Sequence, residues 1–118
     1  MYYPMRSARN DQYRLIHNLN YQGPFHIAED AYNSPTWQQL LKDIENGKPT
    51  NWFKNLTDYY FRPEYELYDI KNDKEQMKNL AYNQQYSTVF NEIKKNLTDW
   101  EAQTNDPWRG CNQTTFSC

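Results

Sequence analysis

At 118 residues the chain has the length of one domain, and its formal net charge of −2 comes with a pI near 5.6. Lys and Arg are scattered along it rather than gathered in a stripe, so nucleic acid is not an expected partner, nor is unaided electrostatic capture of a polyanion. Hydrophobic residues make up only 37% and mean hydropathy is −1.18, while 11 Tyr and 4 Trp raise the aromatic share to 17%. Any core or interface must therefore use large amphipathic rings whose hydroxyl and indole N–H groups need partners. No apolar run reaches the roughly 18 residues that cross a bilayer, and the first residues lack the apolar stretch of a secretory leader.

The first predicted element is extended, over residues 2–9, with Tyr3, Met5 and Ser7 on one face and Arg6 and Ala8 on the other. Pro4 makes it an edge strand or marks its first residue. Asn10-Asp11 is a turn signal. Residues 13–19 alternate again, Tyr13, Leu15, His17 and Leu19 sharing a side, which predicts a hairpin. Residues 20–33 contain Gly23-Pro24 and no clear period, so they read as a loop. Ser34 then caps a helix with Pro35 at its first position, and Trp37, Leu40, Leu41 and Ile44 follow at i, i+3, i+4 and i+7. Gly47 and Pro49 close it. Trp52, Phe53, Leu56 and Tyr59 or Tyr60 suggest a short helical stretch before Pro63 forces the chain extended.

Residues 65–70 form the third predicted strand, with Tyr65, Leu67 and Asp69 on one face and Glu66, Tyr68 and Ile70 on the other. Asp73 and Gln76 have capping-box spacing, so a helical turn is expected from Asp73. Tyr82, Tyr86, Val89, Phe90, Ile93, Leu97 and Trp100 make one apolar stripe over about five helical turns. A long C-terminal helix should lie across the sheet, leaving the opposite sheet face and its tyrosines open. Strands and helices mix without a repeating βαβ unit, which argues for an α+β fold: a small antiparallel sheet with helices on one face.

Chemistry is sparse. His17 and His26 stand in no metal-ligand spacing with Cys, Asp or Glu. His17, on an inner strand face, reads as structural. His26 is in the loop beside Phe25 and near Glu29 and Asp30, and is the better candidate for ligand contact. Pairs such as Glu29-Asp30 and Glu64/Glu66 read as solvated acids. There is no Ser-His-Asp set and no C-x-x-C, and with three glycines no phosphate-cradling loop. Cys111 and Cys118 fit a short disulfide loop in a secretory protein and two free thiols in a cytosolic one. Sequons at Asn55, Asn96 and Asn112 tilt towards the secretory pathway, Asn112 the most accessible and Asn96 the least. With no leader, such a chain is expected to be a piece of a longer protein.

The run E-L-Y-D-I-x-x-D from Glu66, followed by N-L-A at residues 79–81, resembles the E-L-Y-D-L-x-x-D-P-x-E-x-x-N-L-A signature of the sulfatase family's C-terminal domain. Lys74 stands where that signature has Pro, and Gln76 where it has Glu. Y-P-M-R-S at residue 3, Y-R-L-I-H-N-L-N at 13, S-P-T-W-Q-Q-L-L at 34, K-P-T-N-W-F-K-N-L at 48 and T-N-D-P-W at 104 extend the resemblance over nearly the whole chain. They point to lysosomal members of the family that remove N-linked sulfate from heparan sulfate.

The resemblance implies that residues 1–118 are one C-terminal domain, packed against a catalytic α/β domain that holds a calcium ion and a formylglycine nucleophile made in a C/S-x-P-x-R motif. No such motif occurs here, since Cys111 is followed by N-Q-T and Cys118 ends the chain, so no catalytic residue or metal ligand is carried over. By the same resemblance residues 21–33 and 105–108, with His26, Asp106 and Trp108, are those placed to touch a heparan sulfate-derived saccharide or the partner domain. A stand-alone sugar-binding module stacking saccharides on Trp37, Trp52 or Trp108 and a structural or homodimer-forming domain are the competing classes.

Overall fold

The computed structural model describes residues 3–52 and 54–109. In chain order the elements are β1 (Met5–Arg9), β2 (Tyr13–Asn18), α1 (Glu29–Tyr32), α2 (Pro35–Glu45), α3 (Leu56–Tyr60), β3 (Tyr65–Asp69), a 3-10 turn (Gln84–Tyr86) and α4 (Ser87–Gln103). The strands form one antiparallel sheet in the order β1-β2-β3. The hairpin closes as an Asx turn: Asn10 Oδ1 accepts the amides of Gln12 and Tyr13 at 2.9 and 2.7 Å. Pro4 offers no N–H to a ladder, and β1 starts just after it.

The registers place Arg6, Ala8, Tyr13, Leu15, His17, Tyr65, Leu67 and Asp69 on one face. Across that face lies α4, and between them sits an aliphatic core of Leu15, Leu67, Leu80, Ile93 and Leu97. Tyr86, Val89 and Phe90 pack beside it, as their place in the stripe requires. Two members of the predicted stripe behave otherwise. Tyr82 precedes the helix and is exposed, although its hydroxyl accepts the Tyr65 amide at 3.2 Å. Trp100 shares the helical face of Ile93 and Leu97, yet it is half exposed because the buried core ends at Leu97.

The expected helical turn at Asp73 does not continue into a helix. Gln76 takes a left-handed backbone, φ 53°, and the Asp73 carboxylate accepts the amides of Met77 and Lys78 at 3.0 and 2.9 Å. The reason is the free edge of β3, which the next residues must cover. Asn79 Oδ1 accepts the Leu67 amide at 2.9 Å, its Nδ2 donates to Tyr65 O at 3.0 Å, and the Leu80 amide donates to Leu67 O at 2.8 Å. A helix begun at Asp73 would carry Asn79 away from that edge, so sheet pairing overrides the local capping signal.

The opposite sheet face is also less open than expected. Glu66 and Tyr68 are both only 7% exposed. The Tyr68 hydroxyl donates to Glu66 Oε1 at 2.6 Å, and Asn18 Nδ2 donates to Glu66 Oε2 and to Pro63 O, each at 2.8 Å. Phe61, Pro63 and Met77 line a shallow hollow over this cluster, so the return from α3 covers what a bare strand would expose. Only the β1 side of the face, at Met5, Ser7 and Arg9, is open.

Residues 21–62 form a separate aromatic lobe. Ser34 Oγ accepts the Trp37 amide at 3.2 Å and caps α2 as its sequence predicts, with Pro35 in the first turn. Trp52 lies ahead of α3, which Asn55 caps, and the loop of residues 20–33 contains the single turn α1. None of these three helices buries a residue. Trp37, Trp52 and Tyr59 hold them by ring contacts, with centroids 5.2 to 5.8 Å apart. The radius of gyration is 16.7 Å and the extents are 47 × 37 × 21 Å, against about 13.5 Å for a compact domain of this length.

Candidate functional site

The loop after Gly23 is tied to the end of α3 by the Phe25 amide, which donates to Tyr60 O at 2.6 Å. Phe25 is held edge-on by Tyr3 and Tyr59 at 5.2 and 5.6 Å, and the Arg62 guanidinium lies 3.9 Å from its ring centre. With one ring so fixed, its neighbours enclose an open hollow of about 450 Å³ lined by Pro24, Phe25, His26, Ile27, Glu29, Tyr32 and Tyr60. His26 and Glu29 come from the loop and α1, while Tyr32 and Tyr60 close it from the ends of α1 and α3. Burial raises the Tyr60 hydroxyl above its ordinary pKa, with the neighbouring Tyr32 and Tyr59 hydroxyls adding to it. The sequence marked His26. Tyr32 and Tyr60 were unmarked, because in a chain with 11 tyrosines none stands out by spacing.

Asp106 and Trp108 do not line this hollow. Asp106 receives both arms of Arg6 from β1, at 2.5 and 2.9 Å, and accepts the Trp108 amide at 2.9 Å. Those Arg6 bonds, above all, hold its carboxyl below the usual carboxylate range. The pair ties the end of α4 to the sheet, which leaves Asp106 committed within the fold. Glu101 on α4 is shifted the opposite way by burial and by Asp106. Trp37 and Trp52 are packed into the aromatic lobe, and Trp108 is half buried.

His17 stacks on Tyr65, with centroids 4.5 Å apart and planes at 12°, and its Nε2 lies 3.6 Å from Glu64 Oε1. Burial lowers its pKa; Lys94 and Arg6 add to that, and Glu64 opposes it. Lys94 stands 4.6 Å over the Tyr65 ring, whose hydroxyl burial pushes up to about 12. Asn55 uses both ends of its amide on Asp58, accepting the backbone N–H at 2.8 Å and donating to the carboxylate at 2.6 Å. Asn96 is exposed on α4 beside the buried Leu97. Cys111, Cys118 and Asn112 lie outside the described residues.

Among the described residues no three His, Cys, Asp or Glu side chains gather to hold a metal ion, and the sequence offers no C/S-x-P-x-R. The described residues therefore do not fit the calcium and formylglycine of a sulfatase.

No protein-family profile matches the chain. Human (Homo sapiens) N-sulphoglucosamine sulphohydrolase is 43% identical over 108 residues, 92% of this chain and 22% of that protein. The relationship is to the sulfatases. An ulvan-active sulfatase from Formosa agariphila is 30% identical over 107 residues, 86% of this chain and 17% of its own length. The chain thus spans about a fifth of the length of the curated sulfatases it matches. In this chain the residues of the E-L-Y-D and N-L-A motifs have structural work: Glu66 and Tyr68 close one sheet face, and Asn79 the edge of β3. No described helix is long and apolar enough to cross a membrane.

Proposed function

We propose that the chain is a C-terminal-type domain of an N-sulfoglucosamine sulfohydrolase-like sulfatase, supporting a catalytic domain and shaping the approach to its pocket during heparan sulfate breakdown. Identity of 43% over 92% of the chain carries this reading, since it runs through core and lobe alike. In this reading calcium and formylglycine sit in the catalytic domain, the saccharide is shared, and the compartment is lysosomal or secretory, where Cys111 and Cys118 would pair and the sequons would be glycosylated. The half-buried lobe and the exposed Trp100 suit a chain that is covered by a larger domain.

The experiment is a chimera in which this chain replaces the matched segment of the human enzyme. N-sulfoglucosamine hydrolysis should be retained in the chimera, lost when the segment is deleted, and undetectable with this chain alone. A deleted enzyme that stays folded and fully active would remove the supporting role.

A further inference from the structure

We propose that the free edge of β1, together with the arginines on the open side of its sheet face, is a docking surface for an extended acidic segment of a partner polypeptide, added as a further strand. In the order β1-β2-β3 both outer strands have an edge to protect. That of β3 is covered, since Asn79 and Leu80 take up the backbone of Tyr65 and Leu67. The edge of β1 has no such cover among the described residues. The Leu19 amide donates to Pro4 O and the Asn10 amide to Tyr13 O, at 3.0 and 2.9 Å, so residues 4, 6, 8 and 10 turn their backbone towards β2, and Met5, Ser7 and Arg9 turn theirs outward. The Met5 carbonyl accepts from Arg6 Nη1 at 3.0 Å. The amide and carbonyl of Ser7 and the amide of Arg9 are left to pair with an added strand.

Charge selects the segment. Arg9 and Arg14 are direct partners in a pair without mutual backbone bonds, the kind that brings side chains closest, and like charges so placed repel. Arg14 reaches a neutral acceptor, Gln76 Oε1 at 3.4 Å, and its Nε is buried without a partner. At the other end of β1 Arg62 directs Nη1 at Met5 Sδ, 3.9 Å away, and its Nε likewise lacks a partner. Among the described residues none of these three guanidinium groups pairs with a carboxylate. Glu66, the carboxylate that the strands place on this face, is 7% exposed and already accepts from Tyr68 and Asn18. In a chain of net charge −2 these arginines thus gather where the edge is open, along a strand about 13 Å long. Carboxylates at alternate positions of an incoming strand would reach them. A second copy of this chain, paired antiparallel about Ser7, would instead set its Arg9 beside Met5 and Arg62. The surface does not depend on the function proposed above.

The test is fluorescence anisotropy of the whole chain with short, end-blocked peptides: one alternating Thr and Glu, one alternating Thr and Gln, and the Thr-Glu peptide N-methylated throughout, which keeps the charges and removes every backbone donor. The Thr-Glu peptide should bind saturably, and the other two about tenfold more weakly or not at all. Arg9→Gln and Arg14→Gln should each weaken Thr-Glu binding about two- to fivefold, the range of exposed charge pairs. Gln76→Glu, which hands Arg14 a carboxylate within the chain, should weaken it by a similar factor. Unchanged melting curves will show that the variants are folded. In the unmutated chain the Ser7 and Arg9 amide resonances should move with added peptide, and those of Tyr65 and Leu67 should not. No saturable binding to the folded chain, equal binding of the Thr-Gln or the N-methylated peptide, binding indifferent to Arg9→Gln and Arg14→Gln, or resonances that move at Tyr65 and Leu67 instead would each overturn the proposal. So would a dimer in sedimentation that excludes the peptide, which would give the edge to a second copy.

Discussion

The two halves of the molecule are built on different physics. The sheet and α4 enclose Leu15 and Leu67 at 0% exposure, whereas the lobe of residues 21–62 relies on rings that touch at 5 to 6 Å without burying any helix residue. Aliphatic burial stabilises a fold without an outside partner. Half-buried rings keep part of their surface for something else. The sheet region is thus the self-sufficient part, and the lobe is the part that keeps ring surface uncovered.

The sharpest way to break this contrast is to cut matched side chains from each half. Leu15→Ala and Leu67→Ala should each lower unfolding free energy by about 2–5 kcal/mol, as expected for fully buried leucines, a large share of what a small domain has. Leu40→Ala on α2 should cost about 1 kcal/mol or less. Chemical denaturation followed by circular dichroism measures both, and equal losses would erase the distinction. Next comes Asn79→Ala, which strips the amide that pairs with Tyr65 and Leu67 and should cost about 1–3 kcal/mol. Ser34→Ala removes the cap of α2 and should cost about 1 kcal/mol, visible as faster amide exchange in the lobe with the sheet unaffected.

The smallest expected effect is a pH dependence. Folding lowers the pKa of His17, chiefly through burial, so near pH 6 the unfolded chain binds more protons than the folded one. Stability therefore rises with pH through the histidine range and falls as pH drops below the ordinary value of about 6.5. The slope should stay under the roughly 1.4 kcal/mol per pH unit of a single full proton. Thermal melts from pH 7.5 to 5 should show it, and His17→Phe should flatten it while keeping a ring on Tyr65.

Much of the fold was legible because local and long-range signals agreed. The Asn10 turn, the Ser34-Pro35 start of α2 and the Val89 to Leu97 stripe each had a capping or periodic cue that packing then used. Where they disagreed, packing won. Asp73 and Gln76 looked like a capping box, but the edge of β3 needed Asn79, and the turn ended in a left-handed Gln76. Asn18 continues a strand pattern as an ordinary polar residue, yet it is fully buried because Glu66 needs a donor. That need arises across 48 positions of sequence, beyond the reach of any local pattern. The same holds for the hollow: His26 is visible as a loop histidine, while Tyr32 and Tyr60, far apart in sequence, line it from two different helices. Asp106, marked by its motif, turned out to be held by Arg6, a hundred residues away.

Hydrogen–deuterium exchange on the isolated chain and on the chimera with the human catalytic portion decides whether a self-sufficient sheet carries a lobe that a partner domain completes. Amides of Leu15 and Leu67 should be strongly protected in both, while amides of residues 21–62 should exchange much faster in the isolated chain and slow in the chimera. A lobe as protected as the sheet in the isolated chain, and unchanged in the chimera, would contradict it.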